Sequence, residues 1–512
     1  FLLPGVIFFS FIASAQCWSD TKERKFPPDF MFGVSSSAYQ VEGAWNMDGK
    51  GESIWDRYLH EHPESIADGS SGDAADSYHL YERDVEMLRE LGVDHYRFSI
   101  SWSRVLPTGF PNEINEIGMQ YYEDLIDELL KYNIQPMVTL YHMDLPQVLQ
   151  DLGGWTNPLS EVWFEDYAKV VFTRFASKVK YWVTINQPNE ICVNGYGSGD
   201  MAPGVTLNGI ADYLCIKHVL LSHARAFRLY EKEYKQKHKG MVGIALSMNW
   251  ATEFNNKTEN IKAVEKYREF SIGMYMSPIW STGDFPKLVK DVVAKKSKEQ
   301  GYVRSRLPEF SAQEKSLLKG SADFIGINYF TTHLVKAKSS RTEYAVPSFS
   351  DDVGVELSFR EEWGKSNAQW LRNVPYGLYK VCIYLNAVYN YPKTFITAHG
   401  WSTGGGMGDQ SRVDHLHSHM FALLLALEDG TEVLGYTVWS LMDGLEGKAG
   451  TRERFGLYEV DFESQNKTRT ARLSALVYKR LIESRIVEKE WTPKSLKMEI
   501  STRRTEDFKE EL

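Results

Sequence analysis

Eight short apolar runs punctuate the 512-residue chain, and between them the hydrophobic positions fall at helical spacing. The runs are Phe30–Ala38, Asp94–Trp102, Pro136–Asp144 and Tyr181–Pro188, then Val242–Trp250, Asp323–Phe330, Thr394–Gly400 and Leu434–Asp443. Each is nearly continuous in apolar residues rather than alternating, as expected of parallel strands covered by helices. The stretches between them, such as Tyr78–Leu91 and Val413–Glu428, carry the helical period. Eight such units predict the α/β class: a single (β/α)8 TIM barrel with long βα loops. An open doubly wound sheet is the competing arrangement, and the absence of a G-x-G-x-x-G turn after the first run speaks against it.

Polar and aromatic residues crowd the C-terminal ends of these runs: Gln40, Arg97, His142, Asn186, Gln187, Asn328 and Trp439. Taken singly, Arg97 could be a satisfied core cation and Trp439 simple packing. In a barrel, however, those ends converge on one pocket, and the set together predicts a ligand site there.

Composition narrows the ligand class. A net charge of -10, with no clustered Lys/Arg stripe, speaks against nucleic acid. Fourteen Trp and 28 Tyr suit carbohydrate or flat apolar ligands as well as a large core. The four cysteines form no CxxC pattern, so neither a metal site nor a cofactor is expected. No spacing dictates a disulfide, and Cys192 with Cys215 is the expected pair if one forms.

The ends of the chain suggest the secretory pathway. Residues 1–15 read as an N-terminally incomplete signal peptide, an apolar run closing on Ala13-Ser14-Ala15. No other run is long enough for a membrane anchor. Residues 26–490 are expected to form the barrel and 491–512 a charged tail. The tail ends in Lys509-Glu510-Glu511-Leu512, similar to an ER-retention signal, so residence in the ER lumen and secretion are both open. Asn256 and Asn466 open N-x-T glycosylation sequons. Nothing indicates the oligomeric state.

From about Phe26 to Ile486 the chain closely resembles the family 1 glycoside hydrolases, the β-glucosidase family. The resemblance rests on FMFGVSSSAYQVEGAWNMDGKGESIWD, YRFSISWSRVLPTG, VTLYHMDLPQ, RLPEF, GWSTGGG, GYTVWSLMDG and ERFGLYEVDF, in that order. It implies a retaining glycosidase site with two glutamates, an acid/base in T-x-N-E-P and a nucleophile in I-T-E-N-G. That reaction needs both carboxyl groups, about 5–5.5 Å apart. The flavour is that of secreted animal, insect-like members.

This chain departs from the pattern at both positions. The first motif is Thr184-Ile185-Asn186-Gln187-Pro188, with Gln187 where the acid/base is expected. Plant thioglucosidases of the family share that Gln, but they keep the nucleophile. Here the second motif is Ile396-Thr397-Ala398-His399-Gly400, and Ala398 can form no glycosyl ester. His399 and Glu190 are conceivable surrogates; strand alternation points His399 away from the Ala398 side. Other changes cluster with these. Phe330 stands where a Tyr hydroxyl is expected, and Met143 and Gly447 stand where two indoles are expected. The resemblance further implies that Gln40, His142 and Asn186 bind the sugar in the first subsite, with Asn328 among the substrate-binding residues, Trp439 as stacking platform, Glu446 on the outer hydroxyls and Phe455 on the same wall. Arg97 is expected beside the nucleophile position, where a ligand anion or another carboxylate could serve as its partner. The expected pocket is larger, more apolar and less acidic. It suits a non-hydrolytic binder of a glycoside or bulkier apolar molecule. A repurposed non-hydrolytic enzyme, a protein-binding scaffold and a residual β-glucosidase or thioglucosidase are the alternatives.

Overall fold

The computed structural model describes residues 24–68, 74–338, 346–495 and 497–501. The leader-like segment and the last four residues lie outside these.

All eight apolar runs are strands of one closed parallel barrel. In chain order they are β1 (Met31–Ser35), β2 (His95–Ser99), β3 (Gln135–Tyr141) and β4 (Tyr181–Asn186). They continue as β5 (Met241–Ser247), β6 (Phe324–Asn328), β7 (Thr394–His399) and β8 (Val433–Trp439). Each pairs with its sequence neighbours, and β1 closes the ring against β8. At the closure Gly33 sits opposite both His95 and Thr437. Any Cβ at Gly33 would lie 2.2 Å from the His95 ring, which itself bonds Thr437 Oγ1 at 2.8 Å. A side chain there is excluded by contact with the seam.

The lower barrel is filled by Met137, Val183, Ala245, Phe324 and Phe395, one from each of five consecutive strands. This plug leaves only the C-terminal end open for a ligand, the usual division of labour in this fold. Outside, helices such as Ser77–Leu91, Ser160–Phe175, Ala211–Glu233 and Gln410–Glu428 bury their apolar stripes against the strands. The pair Cys192–Cys215 is disulfide-bonded, with Cα atoms 5.4 Å apart, and joins the β4 loop to the helix Ala211–Glu233. Cys382 is free and buried.

Small satellite sheets absent from the sequence expectation decorate the loops. Trp250–Glu253, Thr332–Ala337 and Val355–Ser358 form one of three strands. A two-residue ladder, Gly364–Lys365 against Arg372–Asn373, brackets Trp370. These pairings are two to six residues long, too short to carry a readable period. Among the described residues no helix is long and apolar enough to cross a membrane.

Candidate functional site

The C-terminal end of the barrel opens into a cavity of about 590 Å³. Gln40, His142, Asn186, Gln187 and Asn328 line it from β1, β3, β4 and β6. Ala398 reaches it from β7, and Trp439, Glu446 and Phe455 from β8 and its loop. Of the ligand-contact residues picked from sequence, Arg97 alone does not line it, and the conceivable surrogate His399 lies outside it too.

Arg97 lies beneath the cavity floor, fully buried. Its Nε donates to Thr139 Oγ1 at 3.1 Å, Nη1 to the Thr397 carbonyl at 2.8 Å and Nη2 to Asn186 Oδ1 at 2.7 Å. This corrects the expectation of a ligand-binding arginine waiting for an anion or a carboxylate: neutral acceptors take all three nitrogens. Burial without a counter-charge pulls its pKa down to about 9.

Above it runs a continuous polar chain. Asn328 Nδ2 donates to Asn186 Oδ1 at 2.9 Å, and Thr397 Oγ1 donates to Asn328 Oδ1 at 2.7 Å. Asn186 Nδ2 meets His142 Nε2 at 3.0 Å. An amide nitrogen can only donate, so His142 Nε2 carries the lone pair and Nδ1 the proton. That Nδ1 has no partner. Burial, and then the Arg97 charge, hold His142 well below its ordinary pKa, so the ring is neutral. It stacks on Trp439 with centroids 5.7 Å apart.

Two rim residues hold left-handed backbone although neither is glycine: Met143 at φ 68° and Gln187 at φ 51°. Such residues cost of order 1–3 kcal/mol and persist where surrounding structure imposes them. Gln187 is fixed by its N–H to the Ala245 carbonyl at 2.7 Å, at the turn into helix Pro188–Glu190. Gln40 is more committed than expected: Oε1 accepts from Ser37 Oγ and Nε2 donates to the Leu445 carbonyl, both at 2.7 Å.

The β7 end departs from simple alternation. Its pairing to β6 shifts register between Ile396 and Ala398, and its pairing to β8 shifts between Ile396 and His399. Thr397 therefore bonds Asn328 inside the barrel while Ala398 still reaches the cavity. His399 faces the other way, toward His415 and His419 on helix Gln410–Glu428, as alternation predicted. The three histidines are buried and close enough to share a metal ion, a grouping the sequence did not reveal.

The cavity keeps carboxyl groups of its own beside the two replaced positions. Glu190, Glu446 and Glu453 line it alongside Gln187 and Ala398. Burial raises the pKa of each, and pushes Glu446 up to about 8. Trp439 Nε1 donates to Glu446 Oε1 at 3.2 Å, and Asn194 Nδ2 to Glu190 at 2.7 Å. Indoles at other positions line the site beside the two replaced ones. Trp55 lines it, and Trp370, 45% exposed, stands 5.7 Å from Phe330 and parallel to Phe455 at 6.5 Å. Sequence reasoning missed Trp370, Glu453, Tyr39, Tyr267 and His333, all cavity-lining. Trp370 and Glu453 sit in loops without periodicity, while Tyr39 and Tyr267 sit on helices and His333 on a short satellite strand; a tryptophan in the mainly polar stretch 366–373 was a signal available for Trp370.

A closed parallel barrel whose strand ends deliver amides, an imidazole, indoles and carboxyls to one cavity is the architecture of a glycosidase-type (β/α)8 protein. The chain belongs to glycosyl hydrolase family 1, whose model matches residues 22–486. Myrosinase 1 of Brevicoryne brassicae is 42% identical over 90% of this chain and 99% of its own. The human lactase-like protein is 39% identical over 89% of this chain and 82% of its own. Among solved structures, the aphid myrosinase superposes with a TM-score of 0.86 at 41% identity, covering 90% of this chain and 99% of that one. The family 1 β-glucosidase of Thermotoga maritima superposes with 0.83 at 32% identity, covering 91% and 100%.

Proposed function

We propose that this protein binds a glycoside or a bulkier apolar small molecule in the barrel cavity without hydrolysing it as a retaining glycosidase. The observation that carries this is the pairing of Gln187 and Ala398 at the ends of β4 and β7, facing one cavity. The family resemblance puts the acid/base and the nucleophile at these positions. An amide can neither protonate a leaving oxygen nor activate water, which alone costs about 10²–10⁴ in rate. A methyl group forms no covalent intermediate at all. The remaining carboxyls are poor substitutes: burial raises the pKa of Glu190 and Glu446 and so disfavours the ionised form a nucleophile needs. Neutral His142, the Asn186–Asn328 amides and the Trp439 face remain as anchors for hydroxyls and a sugar ring, and Trp370, Phe330 and Phe455 as a wall for an apolar aglycone.

Purified protein should turn over neither aryl β-glucosides nor thioglucosides, yet be stabilised against heat by aryl glycosides more than by glucose. Turnover at the rate of an active family member assayed in parallel would refute the reading.

A second reading is favoured by Glu446. A carboxyl still protonated near pH 7 beside an aromatic wall is a proton donor, suited to an acid-catalysed isomerisation or cyclisation that needs no glycosyl ester. Loss of a metabolite from an extract with wild-type protein, but not with Glu446→Gln, would establish it.

For location we propose the lumen of the secretory pathway. The Cys192–Cys215 disulfide and the exposed Asn256 and Asn466 fit it, together with the leader-like first 15 residues. A mobility shift on enzymatic deglycosylation of the native protein tests this.

A further inference from the structure

We propose that His399, His415 and His419 form a three-histidine site for one transition-metal ion of the copper–zinc class, separate from the ligand cavity and independent of the reading above. His399 ends β7; His415 and His419 lie four residues apart on the helix Gln410–Glu428 that covers it, and so present the same face. All three side chains are buried, at 0%, 2% and 0% exposure. One ring nitrogen from each lies within 4.8 Å of the others. The ring centroids are 4.1, 4.4 and 4.6 Å apart.

The Nε2 atoms of all three rings are without a hydrogen-bond partner. Buried polar atoms in native proteins are almost always paired, and three orphans on one cluster ask for a common explanation. The opposite nitrogens are already engaged on two of the rings. His419 Nδ1 contacts the His415 carbonyl at 2.9 Å, and a carbonyl only accepts, so Nδ1 is the protonated nitrogen and Nε2 carries the lone pair. His399 Nδ1 meets Tyr436 Oη at 2.6 Å. An outer partner on Nδ1 with a free Nε2 lone pair is the arrangement of metal-ligating imidazoles. An ion bonded at about 2.0–2.1 Å to each nitrogen needs the three drawn together by about 1 Å.

The surroundings discriminate between ions. Among the described residues no carboxylate bonds to any of the three rings, and the Arg412 guanidinium acts on His415 with the same sign as the ion. Carbonyls of His415 and Val374 face the His419 ring and favour positive charge there. Three neutral ligands in a buried site leave a dipositive ion uncompensated, so monovalent copper suits the site better than zinc.

The test uses untagged full-length protein, stripped with chelator and equilibrated with Zn²⁺ or, anaerobically, with Cu⁺. The expected result is one equivalent of Cu⁺ per chain by elemental analysis, held at least about tenfold more tightly than Zn²⁺. His399→Asn, which installs the residue of the family motif, and His415→Tyr should each weaken it by about 100-fold, with circular dichroism unchanged. X-ray absorption of the loaded wild type should show nitrogen neighbours only. Binding of neither ion, equal binding by the variants, or a sulfur shell would overturn the site; preference for Zn²⁺ would overturn the charge argument.

Discussion

At the scale of single residues, Arg97 and Glu446 carry opposite lessons about burial. Arg97 has no counter-charge yet keeps three hydrogen bonds, so it serves as the keystone of the cavity floor rather than as a ligand contact. Glu446 retains its carboxyl but in a form that burial keeps protonated. The folded-state pKa of Glu446, about 8, lies above its ordinary value near 4.5. Between those pH values the folded protein keeps a proton that the unfolded chain releases, so this group's contribution to stability falls as pH rises through that window. Glu446→Gln, a mimic of the protonated form, should flatten that fall. Relative to wild type it should gain about 1–3 kcal/mol between pH 5 and pH 8.5, less than the full 1.36 kcal/mol per pKa unit because the carboxyl still faces the cavity. Chemical denaturation across that range measures it. Restoring both glutamates, Gln187→Glu with Ala398→Glu, should leave hydrolysis of aryl glucosides more than about 100-fold below an active family member. Phe330, Met143 and Gly447 would remain unchanged, and positioning of sugar and nucleophile is worth at least that much. Full recovery would show that the rest of the cavity is already competent for glucosides.

At the scale of elements, the strands were legible and the loops were not. A buried parallel strand must be apolar on both faces, and that demand writes itself into every one of the eight runs. The loops answer to different demands: each pays out to whatever position its two ends and its neighbours leave open, and Trp370 reaches the cavity through a two-residue ladder with no periodic trace. The β7 end shows the limit of alternation, since its register shifts let Thr397 and Ala398 both serve the inside. The β4 loop is anchored differently, by the disulfide to helix Ala211–Glu233. Closing a loop of 23 residues' separation should be worth about 3 kcal/mol through the unfolded chain. Cys192→Ser with Cys215→Ser should lower unfolding free energy by about 2–4 kcal/mol, read from urea midpoints under non-reducing conditions.

At the scale of the whole molecule, the barrel is locked by a buried ionic girdle behind the β7 and β8 loops. Arg472, at the start of the last helix, grips Asp443 with both terminal nitrogens, at 2.8 and 2.7 Å. Its Nε also holds the Gly406 carbonyl at 3.1 Å, and neighbouring Arg412 holds the Trp401 carbonyl at 3.0 Å and Asp409 at 2.7 Å. The glycine-rich loop after Ala398 is thus fastened to the C-terminal helix, whatever chemistry the cavity performs. Arg472→Met should cost about 3–5 kcal/mol, because it leaves the buried Asp443 carboxylate without its bidentate counter-charge, held by Arg454 at 3.4 Å and the Gly456 and Val460 N–H groups at 3.0 and 3.4 Å. Thermal unfolding would report it. The sequence by itself determined the barrel, the family and the residues at the strand ends, because packing and strand geometry act on neighbours a few positions apart. Only the tertiary structure decided that Arg97 lies under the cavity and that Glu453 joins Glu190 and Glu446 on its wall. It alone placed Trp370 on the cavity wall and brought His399 to His415 and His419. Each of those depends on which distant segments meet in space, and no local period records that.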